Sequence, residues 1–105
     1  MTGVAWLNGK SLRTIEGAAS IDDTGRITAS AVQKAFLEHF SFQCGYCTPG
    51  MVMSAVDLCQ RHPQATEAEI REQLEGNLCR CTGYQQIIQA VRLTAKGGVA
   101  AAKPA

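Results

Sequence analysis

Four cysteines set in two tight pairs constrain this chain more than any other feature. Cys44-Gly45-Tyr46-Cys47 is a CxxC, and Cys79-Arg80-Cys81 is a CxC further along. A shared ligand would pull both segments to one place and fix the path of everything between them. The chain has 105 residues, the size of one small domain, and at that size a metal staple adds much to a modest core. Five cysteines in all is an odd count for a closed disulfide framework, and Met1-Thr2-Gly3-Val4 lacks the basic flank and apolar run of a signal peptide. The cytoplasm is therefore the default compartment, where clustered cysteines point to metal or redox work.

Charge and hydropathy exclude other classes. Ten basic side chains nearly cancel nine acidic ones, and no basic run with interleaved aromatics suggests a nucleic-acid partner. No apolar stretch approaches the roughly 18 residues of a membrane span. No nucleophile–base pair, Gly-rich phosphate loop or carboxylate pair stands out, so nothing resembles a self-sufficient active site.

The pattern predicts an all-α fold, a four-helix bundle with an irregular N-terminal arm over residues 1–29. In the arm, Val4-Ala5-Trp6-Leu7 and Leu12-Arg13-Thr14-Ile15 read as short extended pieces around an Asn8-Gly9 turn, and Asp22-Asp23-Thr24-Gly25 as a solvated turn. The helical domain spans 30–95. Ser30 caps a first helix with Val32, Ala35, Phe36 and Phe40 on its apolar stripe. Thr48 caps a second starting at Pro49, with Val52, Ala55, Val56 and Cys59 on one face and His62-Pro63 as its end. Thr66-Glu67-Ala68-Glu69 is a capping box opening a third, with Ile70 and Leu74 inward and Gly76-Asn77 as the stop. A fourth runs from about Tyr84 through Ile87, Ile88 and Val91 to about Thr94. Residues 96–105 read as a disordered tail. The halves echo each other: Cys47-Thr48-Pro49-Gly50 and Cys81-Thr82-Gly83-Tyr84 both place cysteine, threonine and glycine at a helix start.

Together the two pairs indicate a four-thiolate metal site at Cys44, Cys47, Cys79 and Cys81. A [2Fe–2S] cluster takes such soft, anionic ligands. Its negative charge would be offset by two helix N-termini, with Gly45, Gly50 and Gly83 letting backbone N–H groups approach the sulfurs. Arg80 either adds positive charge or faces a partner. Zinc remains open, although a CxC departs from usual zinc spacing. A redox dithiol at Cys44/Cys47 is weaker, because no strand precedes it. Cys59 reads as a buried small hydrophobe, His39 and His62 as surface residues at helix ends, and Met51 and Met53 as packing.

The segments Phe42-Gln43-Cys44-Gly45-Tyr46-Cys47-Thr48-Pro49-Gly50-Met51 and Gly76-Asn77-Leu78-Cys79-Arg80-Cys81-Thr82-Gly83-Tyr84 closely resemble the two signatures of one family. It is the iron–sulfur subunit of the molybdenum hydroxylases, the xanthine dehydrogenase, aldehyde oxidoreductase and aerobic carbon monoxide dehydrogenase group. The resemblance covers roughly residues 13–94. It implies a pseudo-twofold helical [2Fe–2S] domain docked on a large molybdopterin-binding subunit, relaying electrons without catalysing a reaction itself. Gln43 matches the family's pterin-contacting glutamine, and Cys81 lies where the cluster segment also approaches the pterin. The resemblance places a molybdopterin cofactor, and FAD, on partner subunits. Complexes of this kind can also be exported with a signal-bearing partner.

Family subunits usually begin with a plant-type ferredoxin domain carrying C-x4-C-x2-C…C, and no cysteine precedes Cys44 here. A split gene, a cropped chain or a short variant would each account for this, and each gives the onward electron step to a ferredoxin-domain or flavin subunit. Two rival readings are a stand-alone ferredoxin of the bacterioferritin-associated type, which resembles a CxC followed by a CxxC, and a zinc-stabilised interaction domain.

Overall fold

The computed structural model describes residues 3–96. Four helices form its body: α1 Ala31–Glu38, α2 Thr48–Arg61, α3 Glu67–Gln73 and α4 Gln85–Lys96. A short antiparallel ladder precedes them, β1 Ser20–Ile21 and β2 Ile27–Thr28, with Ser20 opposite Thr28 and Ile21 opposite Ile27. Of the expected tail, Lys96 ends α4 and residues 97–105 lie outside the described residues. Among the described residues no helix is long and apolar enough to cross a membrane.

Local sequence sets two of the helix starts. Ser30 Oγ accepts from the Gln33 amide at 3.2 Å while the Ser30 amide donates to Gln33 Oε1 at 2.8 Å, closing a capping box on α1. Thr66 and Glu69 do the same for α3. The start of α2 differs from expectation. Cys47 takes the cap position, Thr48 is the first helical residue and Pro49 the second. Proline is tolerated there because the first-turn amides have no intrahelical acceptor in any case. The hydroxyl of Thr48, left without a capping role, is buried and has no hydrogen-bond partner.

Helix α4 touches the other three, most extensively α1. The apolar faces meet in one core: Val32 and Phe36 from α1, Met51, Val52, Ala55, Leu58 and Cys59 from α2, Ile70 from α3, and Ile87, Ile88, Ala90 and Val91 from α4. Ile15 packs on this core and Ala18 is buried, which ties the N-terminal segment down. The first piece expected to be extended, Val4-Ala5-Trp6-Leu7, is not so, and Leu12-Arg13-Thr14-Ile15 pairs with no strand among the described residues. Val4–Leu7 is a 3-10 turn, closed by local bonds such as Trp6 N–H to Gly3 O at 3.1 Å, because no neighbouring strand takes its backbone groups. The hairpin forms instead around Asp22-Asp23-Thr24-Gly25. There Asp22 Oδ1 accepts from Thr24 and Arg26 amides, each at 2.9 Å. Those contacts, the Thr24 hydroxyl foremost, hold the Asp22 carboxyl below its usual range.

Phe40 departs from its expected core position. Helix α1 ends at Glu38, and Phe40 turns left-handed at φ 51° so that the Ser41 amide reaches Phe36 O at 2.9 Å and the Phe40 amide reaches Leu37 O at 3.4 Å. This is a Schellman motif, whose left-handed position normally falls to glycine. Phe40 is left 77% exposed whereas Phe36 is 2% exposed. The two phenylalanines should respond in opposite directions in urea unfolding. Phe36→Ala is expected to destabilise by about 3–5 kcal/mol, and Phe40→Gly to stabilise by about 1 kcal/mol through relief of left-handed strain.

Candidate metal centre

The cysteines lie in the two loops that link helices, one between α1 and α2 and the other between α3 and α4. Each loop is fastened by polar contacts that involve no cysteine. Ser41, 1% exposed, donates its hydroxyl to Gln86 O at 2.9 Å and so ties the first loop to the start of α4. Ser54 on α2 donates to Asn77 Oδ1 at 2.8 Å, which ties the second loop to α2. Gly50 lies against the same asparagine: a Cβ there would sit 3.1 Å from Asn77 Nδ2.

These fastenings bring the thiols together as two pairs, each drawing one member from each loop. Cys44 and Cys81 are exposed, with sulfurs 3.6 Å apart. Cys47 and Cys79 form a second, less exposed pair, near enough for each thiol to influence the other. Burial, followed by the neighbouring Cys79, pushes the Cys47 thiol up to about 11. For Cys79 burial opposes ionisation, but hydrogen bonds from Thr82, Cys47 and the Cys81 amide outweigh it and bring the thiol down to about 7. The Cys81 thiol is raised, chiefly by its contact with Cys44.

Donors surround the sulfurs. The Tyr46 amide points at Cys44 Sγ from 3.5 Å, and the Thr82 amide at Cys79 Sγ from 3.5 Å. The Thr82 hydroxyl lies 3.1 Å from the same Cys79 sulfur. Positive φ at Gly45 (83°) and Gly83 (71°) bends each loop just past a cysteine, a conformation that costs glycine little. Tyr84, with φ 73°, continues the second bend. Its ring returns over the loop so that Tyr84 Oη accepts the Cys79 amide at 2.8 Å, and its own amide donates to Thr82 Oγ1 at 3.1 Å.

The donor set fits a binuclear iron–sulfur centre. A tetrahedral metal with bonds to sulfur of about 2.3 Å separates two of its thiolates by about 3.8 Å, close to the Cys44–Cys81 spacing. Two pairs of thiols supply the four soft, anionic donors that such a centre takes.

The other residues considered from sequence fall outside this group. Cys59 is fully buried on α2, its sulfur 4.0 Å from Val91 O, and burial lifts its thiol to about 11. His39 and His62 close the C-terminal ends of α1 and α2. Met51 is fully buried in the core. Gln43 and Arg80 are exposed beside the ligand candidates. Sequence reasoning noted Thr82 and Tyr84 only as parts of a repeated helix start. A hydroxyl directly after a cysteine, with a tyrosine two residues on, is the signal that points to their contacts.

Comparison with known proteins agrees with this chemistry. Residues 14–92 match the family described as "[2Fe-2S] binding domain", close to the 13–94 span of the resemblance. The chain is 45% identical over 91 residues to the nicotine 6-hydroxylase small subunit of Paenarthrobacter nicotinovorans, covering 87% of this chain and 52% of that protein. It is 45% identical over 89 residues to the xanthine dehydrogenase iron-sulfur-binding subunit of Escherichia coli O157:H7, covering 83% and 53%. The chain thus spans about half the length of these relatives. Among solved structures, quinoline 2-oxidoreductase from Pseudomonas putida 86 superposes with a TM-score of 0.76 at 36% identity, covering 89% of this chain and 55% of that one. The zinc reading gives way to this match. The chain belongs to the [2Fe-2S] binding domain family, and its cofactor is a [2Fe–2S] cluster.

Proposed function

We propose that this chain is the electron-transfer iron–sulfur component of a molybdenum hydroxylase complex, catalytically silent alone, with Cys44, Cys47, Cys79 and Cys81 as the ligands. The observation that carries this reading is the placement of two thiol pairs, one exposed and one sheltered, within a [2Fe-2S] binding domain. When bound, the cluster supplies one-electron transfer. The chain does the rest. Its thiolates hold the irons, the amides of Tyr46 and Thr82 donate to sulfur, and the core behind Cys79 keeps water from one side. In this reading the fold is a four-helix bundle with the cluster near the N-termini of α2 and α4. Cys47 as the α2 cap supports that placement.

The partner we infer is a large molybdopterin-binding subunit, with Gln43 and Cys81 facing the pterin. A glutamine amide offers both donor and acceptor to a polar heterocycle, and both residues are exposed. Three strongly exposed apolar side chains adjoin the cysteine loops: Phe40 at 77%, Tyr46 at 94% and Leu78 at 84%. Such side chains suit a face that a partner covers, and they would exclude water around the electron path. A ferredoxin-domain or FAD-bearing chain is the onward acceptor in this scheme. Substrate choice belongs to the large subunit, and the nicotine, xanthine and quinoline named for the relatives mark the chemistry to screen first.

Iron and acid-labile sulfide analysis tests the ligand set. The wild-type chain should carry the [2Fe–2S] complement of its family, and Cys79→Ser should lose most of its visible absorbance and iron. Full retention in that variant would remove Cys79 from the ligands. Co-expression with the large subunit tests the partner. Leu78→Asp is expected to keep the iron and weaken co-purification at least tenfold, since a buried unpaired carboxylate costs well over about 1.4 kcal/mol. Undiminished association would move the interface elsewhere.

A further inference from the structure

The second cysteine loop contains a hydroxyl whose two hydrogen bonds leave it one orientation. Thr82 Oγ1 accepts the Tyr84 amide at 3.1 Å, and the same oxygen lies 3.1 Å from Cys79 Sγ. A threonine hydroxyl has one proton to give and lone pairs to receive. With the Tyr84 amide on a lone pair, the proton is free for the sulfur, and a thiolate bound to metal has no proton of its own to offer in return. The hydroxyl therefore donates to Cys79.

The surroundings fix this geometry. The Tyr84 amide points back at Thr82 because Gly83 and Tyr84 are both left-handed, at φ 71° and 73°. Tyr84 Oη in turn accepts the Cys79 amide at 2.8 Å, closing a ring of contacts through Cys79, Thr82 and Tyr84. The corresponding threonine of the first loop behaves differently: Thr48 Oγ1 is buried without a partner. Of the two threonines that follow a cysteine at a helix start, only Thr82 bonds a sulfur among the described residues.

We propose that Thr82 is a positioning residue that tunes the cluster, its hydroxyl donating to the Cys79 sulfur and favouring the reduced state. The inference rests on Cys79 being a ligand. An electron added to the cluster increases negative charge on its sulfurs, so a hydrogen bond to one of them strengthens on reduction. Hydrogen bonds to ligand sulfurs are among the protein's levers on potential. Thr82→Val and Thr82→Ala remove the donor, and Thr82→Ser keeps it.

The test is a potentiometric titration of the complete chain, followed by visible absorbance and by the spin signal of the reduced cluster, with iron and sulfide measured on every sample. Thr82→Val and Thr82→Ala should raise the oxidised-to-reduced ratio at a fixed ambient potential about tenfold, equal to about 59 mV for a one-electron couple. Thr82→Ser should stay near wild type. Wild-type ratios in both the valine and alanine variants overturn the proposal, and so does a serine variant that shifts with them. If Thr82→Val binds no cluster, the alanine and serine variants decide in the same way. A Cys79→Ser variant that keeps its full iron overturns the ligand reading itself and takes this inference with it. That result is separable from an unshifted Thr82 series in which Cys79→Ser loses iron.

Discussion

Everything near the cysteines depends on pairing across loops rather than within them. Cys44 meets Cys81 and Cys47 meets Cys79, so each thiol pair joins the α1–α2 connection to the α3–α4 connection. Neither motif could assemble the site by itself. The meeting requires α2 and α4 to start side by side, and the shared core of Met51, Val52, Ala55, Ile87 and Val91 supplies that register. The cofactor site is in this sense a product of core packing, read out at the ends of two helices.

The outer and inner pairs have different physical settings. The outer sulfurs face solvent and have few neighbours, whereas the inner pair backs onto the core and receives the Thr82 donors. An electron carrier benefits from that division. A sheltered side keeps the centre intact, and an open side brings it within reach of another redox group. The exposed aromatic and aliphatic residues flanking the open side belong to the same logic, because a bare redox centre in water is one that oxidants also reach.

Much of this was legible in the sequence where the signal was local. Ser30 and Thr66 act through residues three positions away, so their capping boxes could be read directly. Cys59 falls on an apolar stripe and is buried. Phe40 misled because the apolar period continues past the end of α1, and periodicity carries no stop signal when the left-handed position holds an aromatic in place of glycine. The Asn8-Gly9 turn forms, with the Lys10 amide on Leu7 O, but no hairpin grows from it: the amides of Trp6 and Asn8 before it donate to carbonyls three residues back instead of to a partner strand. The contacts of Thr82 and Tyr84 depend on two successive left-handed residues, which single-residue preferences do not forecast for tyrosine.

The clasp between Ser54, Asn77 and Gly50 bears on how the cysteine loops are held. Together with Ser41 and Gln86 it fastens both loops to the helices by ordinary hydrogen bonding and contact, without any sulfur. The loops therefore carry two sets of ties, one of polar side chains to the helices and one of thiols to each other, and losing either set loosens the same two segments.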